Sequence, residues 1–316
     1  MQSGCPVASD PVADFDLEPI YAGLEPLLGR PAGDPVALAG GITNRNLLVP
    51  FDGGDYVLRI CTPGVEIISI DRETEVQANR NAHAAGVAPE VAAWLPELGC
   101  LVTAYVPGEQ MTAEAMAEPR RIAELGQALR AVHAGPPLPT SFPTFTLAEE
   151  YEASARERGG GADPADLELA RDLTGRIGQA IGGWPGHEPV PCHNDMLTAN
   201  FIASPGGLVL VDWEYAGMND RYFDLGNAAV NNGFGDAEGA LLLEAYLEAE
   251  PDETQVASLA LMRLMSDVRE AMWGVVQASA SGIDFDYRQY AADHFARLRT
   301  GAADPRLEGW LRGQAS

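Results

Sequence analysis

The chain has 316 residues, of which 46% are hydrophobic and 21% are charged, so it is long enough for two packed lobes and too apolar for a disordered protein. Its apolar stretches stop far short of the ~18 residues that a membrane span requires, and no transmembrane helix is expected. The formal net charge of -26 argues against a nucleic-acid partner, because such a surface repels phosphate backbones. A cationic substrate suits this charge, although acidity is also a common solubility device.

The basic residues and the cysteines restrict the chemistry further. All 20 basic residues are arginine, which excludes a lysine nucleophile or Schiff base and assigns any phosphate-binding cation to an arginine. The four cysteines are far apart, without the paired spacing of a zinc or redox site, and are expected to be reduced thiols. Residues 1–17 have neither a basic start nor an apolar core, so we expect a loose acidic tail on a cytoplasmic protein.

The elements up to residue 106 are mostly strands. Apolar segments at 36–38, 46–50 and 56–60 are separated by double glycines, which predicts an antiparallel meander. Residues 70–85 lack Gly and Pro and precede Gly86, as expected for a helix with a glycine stop. Two further apolar segments, 91–95 and 100–106, predict a last hairpin. Together these elements predict a small β-rich N-terminal lobe over residues 1–106.

Beyond residue 106 the pattern becomes helical. Pro119 opens a segment in which apolar residues recur at helical spacing until Gly135. Further helices are predicted at 147–158, 164–181, 240–249 and 254–280, with a last one that begins near Tyr287. These elements predict a larger, mainly helical C-terminal lobe over residues 107–316, and the fold class is α+β.

The most specific signal in the chain is His193-x-Asp195-x4-Asn200, followed by an apolar hairpin that leads to Asp212. Phosphoryl transfer needs one aligned hydroxyl and bound metal ions. An aspartate beside the hydroxyl accepts its proton, while an amide oxygen and a second carboxylate supply the oxygen ligands that Mg²⁺ prefers. Each residue alone is an ordinary loop former, but the combination predicts a kinase site. We expect His193 to brace the loop rather than to carry a proton.

The segment 211–227, Val-Asp-Trp-Glu-Tyr-Ala-Gly-Met-Asn-Asp-Arg-Tyr-Phe-Asp-Leu-Gly-Asn, resembles the signature of the choline/ethanolamine kinase family. Trp213 stands where the family usually has Phe. The resemblance extends over roughly residues 36–297. It implies the bilobal protein-kinase-like fold that this family shares with aminoglycoside phosphotransferases, with a small antiparallel β-rich N-terminal lobe, a larger helical C-terminal lobe and a small-molecule acceptor.

The resemblance also implies roles for the central motif and for the nucleotide-binding residues. Asp195 is the catalytic base, Asn200 and Asp212 are the Mg²⁺ ligands, and ATP is the phosphoryl donor. Arg59 is the cation that contacts the phosphates, and Glu75 is the helix carboxylate that pairs with it, with Glu73 as a rival. The remaining nucleotide-binding residues are in the covering loop and the hinge: Gly41, Thr43 and Asn44, then Tyr105 and Val106.

An acceptor pocket is implied by the same resemblance. Trp273 and Tyr287 match the residues that enclose the choline head, and Glu214, Tyr215 and Arg221 complete the set. A quaternary ammonium donates no hydrogen bonds, so it requires aromatic faces and nearby carboxylates. The family often has two tryptophans a helical turn apart here, whereas this chain has one, which leaves a smaller primary amine open. Trp273 and Tyr287 could also be core residues of two packed helices.

These observations predict an enzyme that transfers the ATP γ-phosphate to the hydroxyl of choline, giving phosphocholine. The alternatives are a kinase of ethanolamine, thiamine or another amino alcohol, and then an aminoglycoside phosphotransferase. A non-catalytic binding module with the same fold is a more remote alternative, because Asp195, Asn200 and Asp212 are all present. The expected partners are a small amino alcohol and no nucleic acid.

Overall fold

The computed structural model describes residues 16–38, 44–61, 70–281 and 285–315. The helices within them are α1 (Glu18–Leu28), α2 (Arg72–Ala84), α3 (Ala113–Met116), α4 (Pro119–His133), α5 (Leu147–Glu157), α6 (Pro164–Ile181), α7 (Arg221–Asn231), α8 (Asp236–Leu247), α9 (Glu253–Ala280), α10 (Tyr287–Ala302) and α11 (Leu307–Trp310). The strands are β1 (Val36–Ala37), β2 (Asn44–Phe51), β3 (Gly54–Cys61), β4 (Val91–Leu95), β5 (Cys100–Ala104), β6 (Glu109–Gln110), β7 (Val190–Cys192), β8 (Phe201–Ser204), β9 (Gly207–Leu210) and β10 (Gly217–Asn219).

The chain divides into two units, of which the first comprises residues 1–65 and 89–106. Its five-stranded antiparallel sheet has the order β1-β2-β3-β5-β4. The apolar residues of the β2–β3 hairpin alternate, so that every second side chain enters one buried core. Helix α1 covers this core with Ile20, Leu24 and Leu28, which repeat at intervals of four residues. The predicted meander and hairpin are present, whereas α1 was not predicted.

The second unit, residues 66–88 and 107–316, is mainly helical. Its longest element is α9, a helix of 28 residues with a capping box at Asp252 and Gln255. Helices α5, α6, α7, α10 and α11 all pack against α9, and nearly all of its residues from Ala257 to Gln277 are buried. A helix surrounded in this way has apolar residues on every side instead of one apolar stripe.

Two small antiparallel sheets in the second unit hold the central motif. Strand β8 pairs with β9 and β6, and β7 pairs with β10. The loop 193–200 therefore leaves β7 and enters β8, while the residues from 211 onward leave β9. Both segments of the motif are thus fixed at their ends by strand pairing, which keeps them close together.

Helix α7 approaches α9 unusually closely. A Cβ at Gly226 would lie 2.6 Å from the carbonyl carbon of Met262 and 2.8 Å from the nitrogen of Arg263, so glycine is required for this contact. Asp220 caps the N-terminus of α7 by accepting a hydrogen bond from Tyr222 N at 2.9 Å. Helix α7 therefore packs against α9 and also contacts the loop 193–200.

The predicted helices of the second unit are present near their predicted bounds, whereas the short helices α3 and α11 were not predicted. Helix α8 begins at Asp236 rather than at residue 240, because Gly239 is tolerated inside the helix. Helix α7 was not predicted. The structure also groups residues 66–88 with the second unit, whereas the predicted boundary puts them in the first; the predicted domain assignment stays a prediction. In the described part of the chain, no helix has both the length and the apolar character for a membrane span.

Candidate active site

The loop 193–200 is held from within by His193. The His193 ring accepts a hydrogen bond from Asp195 N at Nδ1 (3.3 Å) and donates one from Nε2 to Val211 O (3.0 Å). The ring also stacks on Trp213, with 4.5 Å between centroids. Asn194 has a left-handed backbone with φ of 66°, so the chain reverses sharply just before Asp195. His193 therefore braces the loop, in the role that was predicted for it.

Two polar residues of α7 hold the same loop from outside. Asp224 accepts hydrogen bonds from His193 N (2.8 Å) and Asn194 N (2.7 Å), and its carboxylate also meets His133 Nε2 at 3.1 Å. Asn227 accepts a hydrogen bond from Met196 N at 2.6 Å. Because these backbone N–H groups are buried, their partners are needed to avoid a large desolvation cost. Helix α7 thus fixes the backbone on both sides of Asp195.

The Asp195 side chain is 5% exposed and is held at both oxygens. Asn200 Nδ2 donates to Asp195 Oδ2 (3.1 Å) and to its backbone carbonyl (2.9 Å), while Arg269 Nη1 donates to Oδ1 (3.2 Å). Burial raises the pKa of Asp195 to about 7; Arg269 opposes this shift, whereas Glu270, Asp212 and Glu214 add to it. A carboxylate with this pKa is a competent proton acceptor near neutral pH.

Arg269 is shared between two carboxylates. Its Nη1 lies 2.8 Å from Glu270 Oε2, closer than to Asp195. Burial would raise the pKa of Glu270, but Arg269, His294 and hydrogen bonds from Tyr290 and Asn227 lower it to about 2. Glu270 therefore stays ionised and is the closer ion-pair partner of Arg269. Of the two carboxylates, that of Asp195 is therefore the more basic.

Asn200 and Asp212 are brought together by the strand pairing around them. Val211 N donates to Asn200 O at 3.0 Å, which puts the neighbouring Asp212 beside the end of the loop 193–200. Asp212 has φ of 68°, so the backbone turns as it leaves β9. Asn200 Nδ2 is committed to Asp195, and the side chain therefore presents its oxygen as a ligand. An amide oxygen and a carboxylate form the hard oxygen set that suits Mg²⁺.

A buried group of one histidine, one cysteine and one aspartate lies nearby. The ligand atoms of His133, Cys192 and Asp224 all fall within 4.8 Å of one another. The Asp224 carboxylate already accepts two backbone hydrogen bonds, and His133 Nδ1 meets Tyr246 Oη at 2.9 Å. These contacts make the group a structural support of the loop 193–200, and its donors differ from those that Mg²⁺ prefers.

Aromatic residues gather around the predicted acceptor residues. Trp273 Nε1 donates to Tyr215 Oη at 3.1 Å, and the Trp273 ring meets Tyr287 and Tyr290 edge-to-face at 5.7 and 5.6 Å. Phe285 extends the group and lies 4.9 Å from Tyr287. The structure therefore brings Tyr215, Trp273 and Tyr287 into one cluster. It also shows that Trp273 and Tyr287 pack between helices, as the alternative interpretation expected.

Glu214 connects this cluster with α2. Arg72 Nη1 donates to Glu75 Oε2 at 2.8 Å and reaches Glu214 Oε2 at 3.4 Å. Glu75 is buried, whereas Glu73 is exposed, which favours Glu75 as the inward-facing carboxylate of α2. Its pairing with Arg59 stays a prediction.

Arg221 is the one predicted acceptor residue that the structure places in different surroundings. Its side chain lines a cavity of about 230 Å³ together with Tyr222 and Leu247. This position at the start of α7 gives Arg221 a role in helix packing. These contacts give no support for a role in acceptor binding, which stays a prediction.

Two of the predicted nucleotide-binding residues, Asn44 and Arg59, share one face of the sheet in the first unit. Asn46 lies opposite Arg59 in the β2–β3 register, and Asn44 lies opposite Cys61, so Asn44 and Arg59 point away from the core residues of the same strands. Tyr105 and Val106 follow the end of β5 and are half-buried. Gly41 and Thr43 lie outside the described residues.

The sequence pattern did not reveal several residues of this site. Asp224 and Asn227 lie within the signature segment 211–227, and their presence in that segment was the signal from which they could have been found. Arg269 and Glu270 gave no such signal, because adjacent opposite charges on a helix normally face solvent. Tyr290 donates to Glu270 Oε2 at 2.7 Å, and only the packing of α10 on α9 reveals that contact.

Comparison with known proteins agrees with this geometry. Residues 35–259 match the model of the phosphotransferase enzyme family, APH. Ethanolamine kinase 2 of Mus musculus is 30% identical over 291 residues, which cover 81% of this chain and 72% of the relative. A choline/ethanolamine kinase family protein from Mesorhizobium loti has a TM-score of 0.79 at 29% identity, covering 94% of this chain and 98% of that one. The choline kinase LicA from Streptococcus pneumoniae has a TM-score of 0.72 at 22% identity, covering 90% and 98%.

The antiparallel sheet, the helical second unit and the loop 193–200 define a protein-kinase-like phosphotransferase that acts on an alcohol group. The chain belongs to the phosphotransferase enzyme family, and its relatives include choline and ethanolamine kinases. The predicted fold class and the predicted family resemblance are both confirmed.

Proposed function

We propose that this enzyme is an amino alcohol kinase that transfers the γ-phosphoryl group of ATP to the hydroxyl of choline or ethanolamine. One observation carries the proposal: the buried carboxylate of Asp195 is fixed by Asn200 and Arg269, and strand pairing holds Asp212 beside Asn200. The relatives named for both substrates support this acceptor class.

Asp195 supplies the proton acceptor in this proposal. The acceptor hydroxyl approaches the carboxylate and gives up its proton to Asp195 as its oxygen attacks the γ-phosphorus, while the bond from that phosphorus to the β,γ-bridging oxygen breaks and ADP leaves. The hydroxyl is aligned because both Asp195 oxygens are held by other side chains. Asn200 and Asp212 would hold Mg²⁺, which when bound neutralises charge on the phosphate oxygens. Glu214 and the Trp273–Tyr287 pair would bind the amino group.

An ADP-release assay with choline, ethanolamine, thiamine, homoserine and kanamycin tests this assignment. We expect choline or ethanolamine to give the largest kcat/KM, because the aromatic cluster and the carboxylates suit a small cation. Asp195→Asn should lower kcat by roughly 10²–10⁴-fold, the usual contribution of a general base. Asp172→Asn, an exposed change on α6, is the matched control and should leave kcat unchanged.

Two results would contradict the proposal. A clear preference for kanamycin would make the chain an aminoglycoside phosphotransferase. Unchanged turnover in Asp195→Asn would remove the proposed base. Nucleotide binding measured with and without Mg²⁺ separates the enzyme from a non-catalytic module, because Asn200 and Asp212 should make binding metal-dependent.

A further inference from the structure

An arginine occupies part of the pocket in which a cationic acceptor is expected. Arg269 is 3% exposed, and its guanidinium lies over the face of the Tyr215 ring at 4.7 Å from the centroid. The same side chain contacts the Asp195 carboxylate at 3.2 Å. The cation–π position on Tyr215 and one oxygen of the catalytic carboxylate are thus already filled by a permanent positive charge of the protein.

Glu270 fixes this arginine in place. Its Oε2 accepts from Arg269 Nη1 (2.8 Å) and Tyr290 Oη (2.7 Å), and its Oε1 accepts from Asn227 (2.9 Å) and Asn231 (3.3 Å). These partners come from α7, α9 and α10, so three helices hold the pair. A bound acceptor could displace Arg269 only by breaking this network, and the ring face of Tyr215 therefore stays covered.

The covered ring has a different consequence for each kind of amine. A trimethylammonium group donates no hydrogen bonds and depends on open aromatic faces. A primary ammonium donates three hydrogen bonds and binds carboxylates such as Glu214 directly, without an aromatic face. The Arg269 guanidinium and an acceptor cation on the same Tyr215 ring face would also repel each other, and the bulky trimethylammonium group has less freedom to move away than a primary ammonium.

Resting on the amino alcohol kinase function proposed above, we infer that Arg269 is a specificity-determining residue that selects a primary amine over a quaternary ammonium. The acceptor is then an unmethylated amino alcohol of the ethanolamine type. Glu270 is the positioning residue that keeps Arg269 over Tyr215.

A graded series of acceptors tests this inference. We would measure kcat/KM for ethanolamine, N-methylethanolamine, N,N-dimethylethanolamine and choline, which differ only in methyl groups. We expect a stepwise fall, with choline at least about 100-fold below ethanolamine. In Arg269→Met/Glu270→Gln, which removes both buried charges together, the ratio should shrink to within about tenfold while KM for ATP stays unchanged. A purely structural role would lower turnover of all four acceptors equally and leave the ratio intact.

Controls separate this inference from the proposed function. Arg176→Met removes one half-buried arginine on α6, which is paired with Asp172, and should keep the wild-type ratio. If the double variant folds poorly, ligand-induced thermal shifts with ethanolamine and choline on Arg269→Lys, which keeps the charge, should still favour ethanolamine. Equal use of choline and ethanolamine by the wild type, or an unchanged ratio in the double variant, overturns the inference but leaves the kinase intact. Failure of all four acceptors overturns the proposed function and the inference with it.

Discussion

At the scale of single residues, the main feature of the site is that Asp195 and Glu270 share the positive charge of Arg269 unequally. Arg269 lies closer to Glu270 than to Asp195, and the pKa of Glu270 is lowered to about 2 while burial raises that of Asp195 to about 7. Glu270 thus keeps Arg269 engaged, and the Asp195 carboxylate retains its affinity for a proton. Two acids of the same chemical type acquire different roles from their surroundings.

The raised pKa of Asp195 has a measurable effect on stability. Because the folded protein holds this proton more tightly than the unfolded chain, whose aspartates titrate near 3.9, the contribution of Asp195 to stability is fully present at low pH and is lost as pH rises through about 7. The free energy of unfolding of the wild type, relative to that of Asp195→Asn, should therefore fall by on the order of 2 kcal/mol between pH 5 and pH 7. Urea unfolding of both proteins across this range measures the difference.

The exposed variant Asp172→Asn provides the reference for this experiment. Its side chain is on the surface of α6, so its unfolding free energy should differ from the wild type by the same amount at each pH. A flat difference for Asp195→Asn as well would mean that the Asp195 proton is not held by burial, and the explanation of its basicity would fail.

At the scale of elements, helix α7 connects the long helix α9 with the loop 193–200. Gly226→Ala should push α7 away from α9, because the added Cβ would meet the backbone of Met262 at 2.6 Å. We expect a loss of about 1–3 kcal/mol in the free energy of unfolding, as in other overpacked contacts. Turnover should fall as well, since Asp224 and Asn227 on α7 hold the backbone around Asp195. Urea unfolding and ADP release measure the two effects.

The matched control is another helical glycine. Gly175 on α6 has open space where a Cβ would point, so Gly175→Ala should be neutral or stabilising by up to about 1 kcal/mol through helix propensity. A Gly226→Ala protein as stable and active as the wild type would show that the α7–α9 contact does not support the loop.

The sequence predicts the elements whose pattern is locally visible. Helices α4, α6 and α9 have apolar repeats and clear ends, and strands β2, β3 and β5 have alternating residues between glycines. Helix α7 escaped prediction because its buried face carries Asp224 and Asn227, so that hydrophobic periodicity does not describe it. The motif residues Asp195 and Asn200 could be found from spacing alone. Arg269 could not, since its burial depends on three helices that are distant in the chain.

At the scale of the whole molecule, charge is the dominant feature. The chain carries 46 acidic and 20 basic residues, so repulsion among carboxylates outweighs the surface ion pairs. Screening should relieve this repulsion, since the Debye length shortens from about 30 Å at 0.01 M salt to about 10 Å at 0.1 M. We expect Tm to rise by several degrees between 10 and 300 mM NaCl (on the order of 1 kcal/mol) at pH 7.5, measured by differential scanning calorimetry.

The same measurement at pH 5 is its control. This pH lies between neutrality and the isoelectric point of about 4.3, so the net charge and the repulsion are both smaller than at pH 7.5. The salt-induced rise in Tm should therefore be clearly smaller at pH 5. An equal rise at both pH values would point to a general salt effect on hydrophobic burial instead.

Helix α9 has a consequence for how this enzyme could change its substrate. One continuous rod of 28 residues, about 42 Å long, carries Arg269, Glu270 and Trp273 and also forms the centre of the second unit. A mutation that retunes selectivity there also disturbs the contacts of several neighbouring helices. Laboratory evolution toward a new acceptor should therefore require paired changes, with a compensating substitution on α7 or α10 accompanying each productive one on α9.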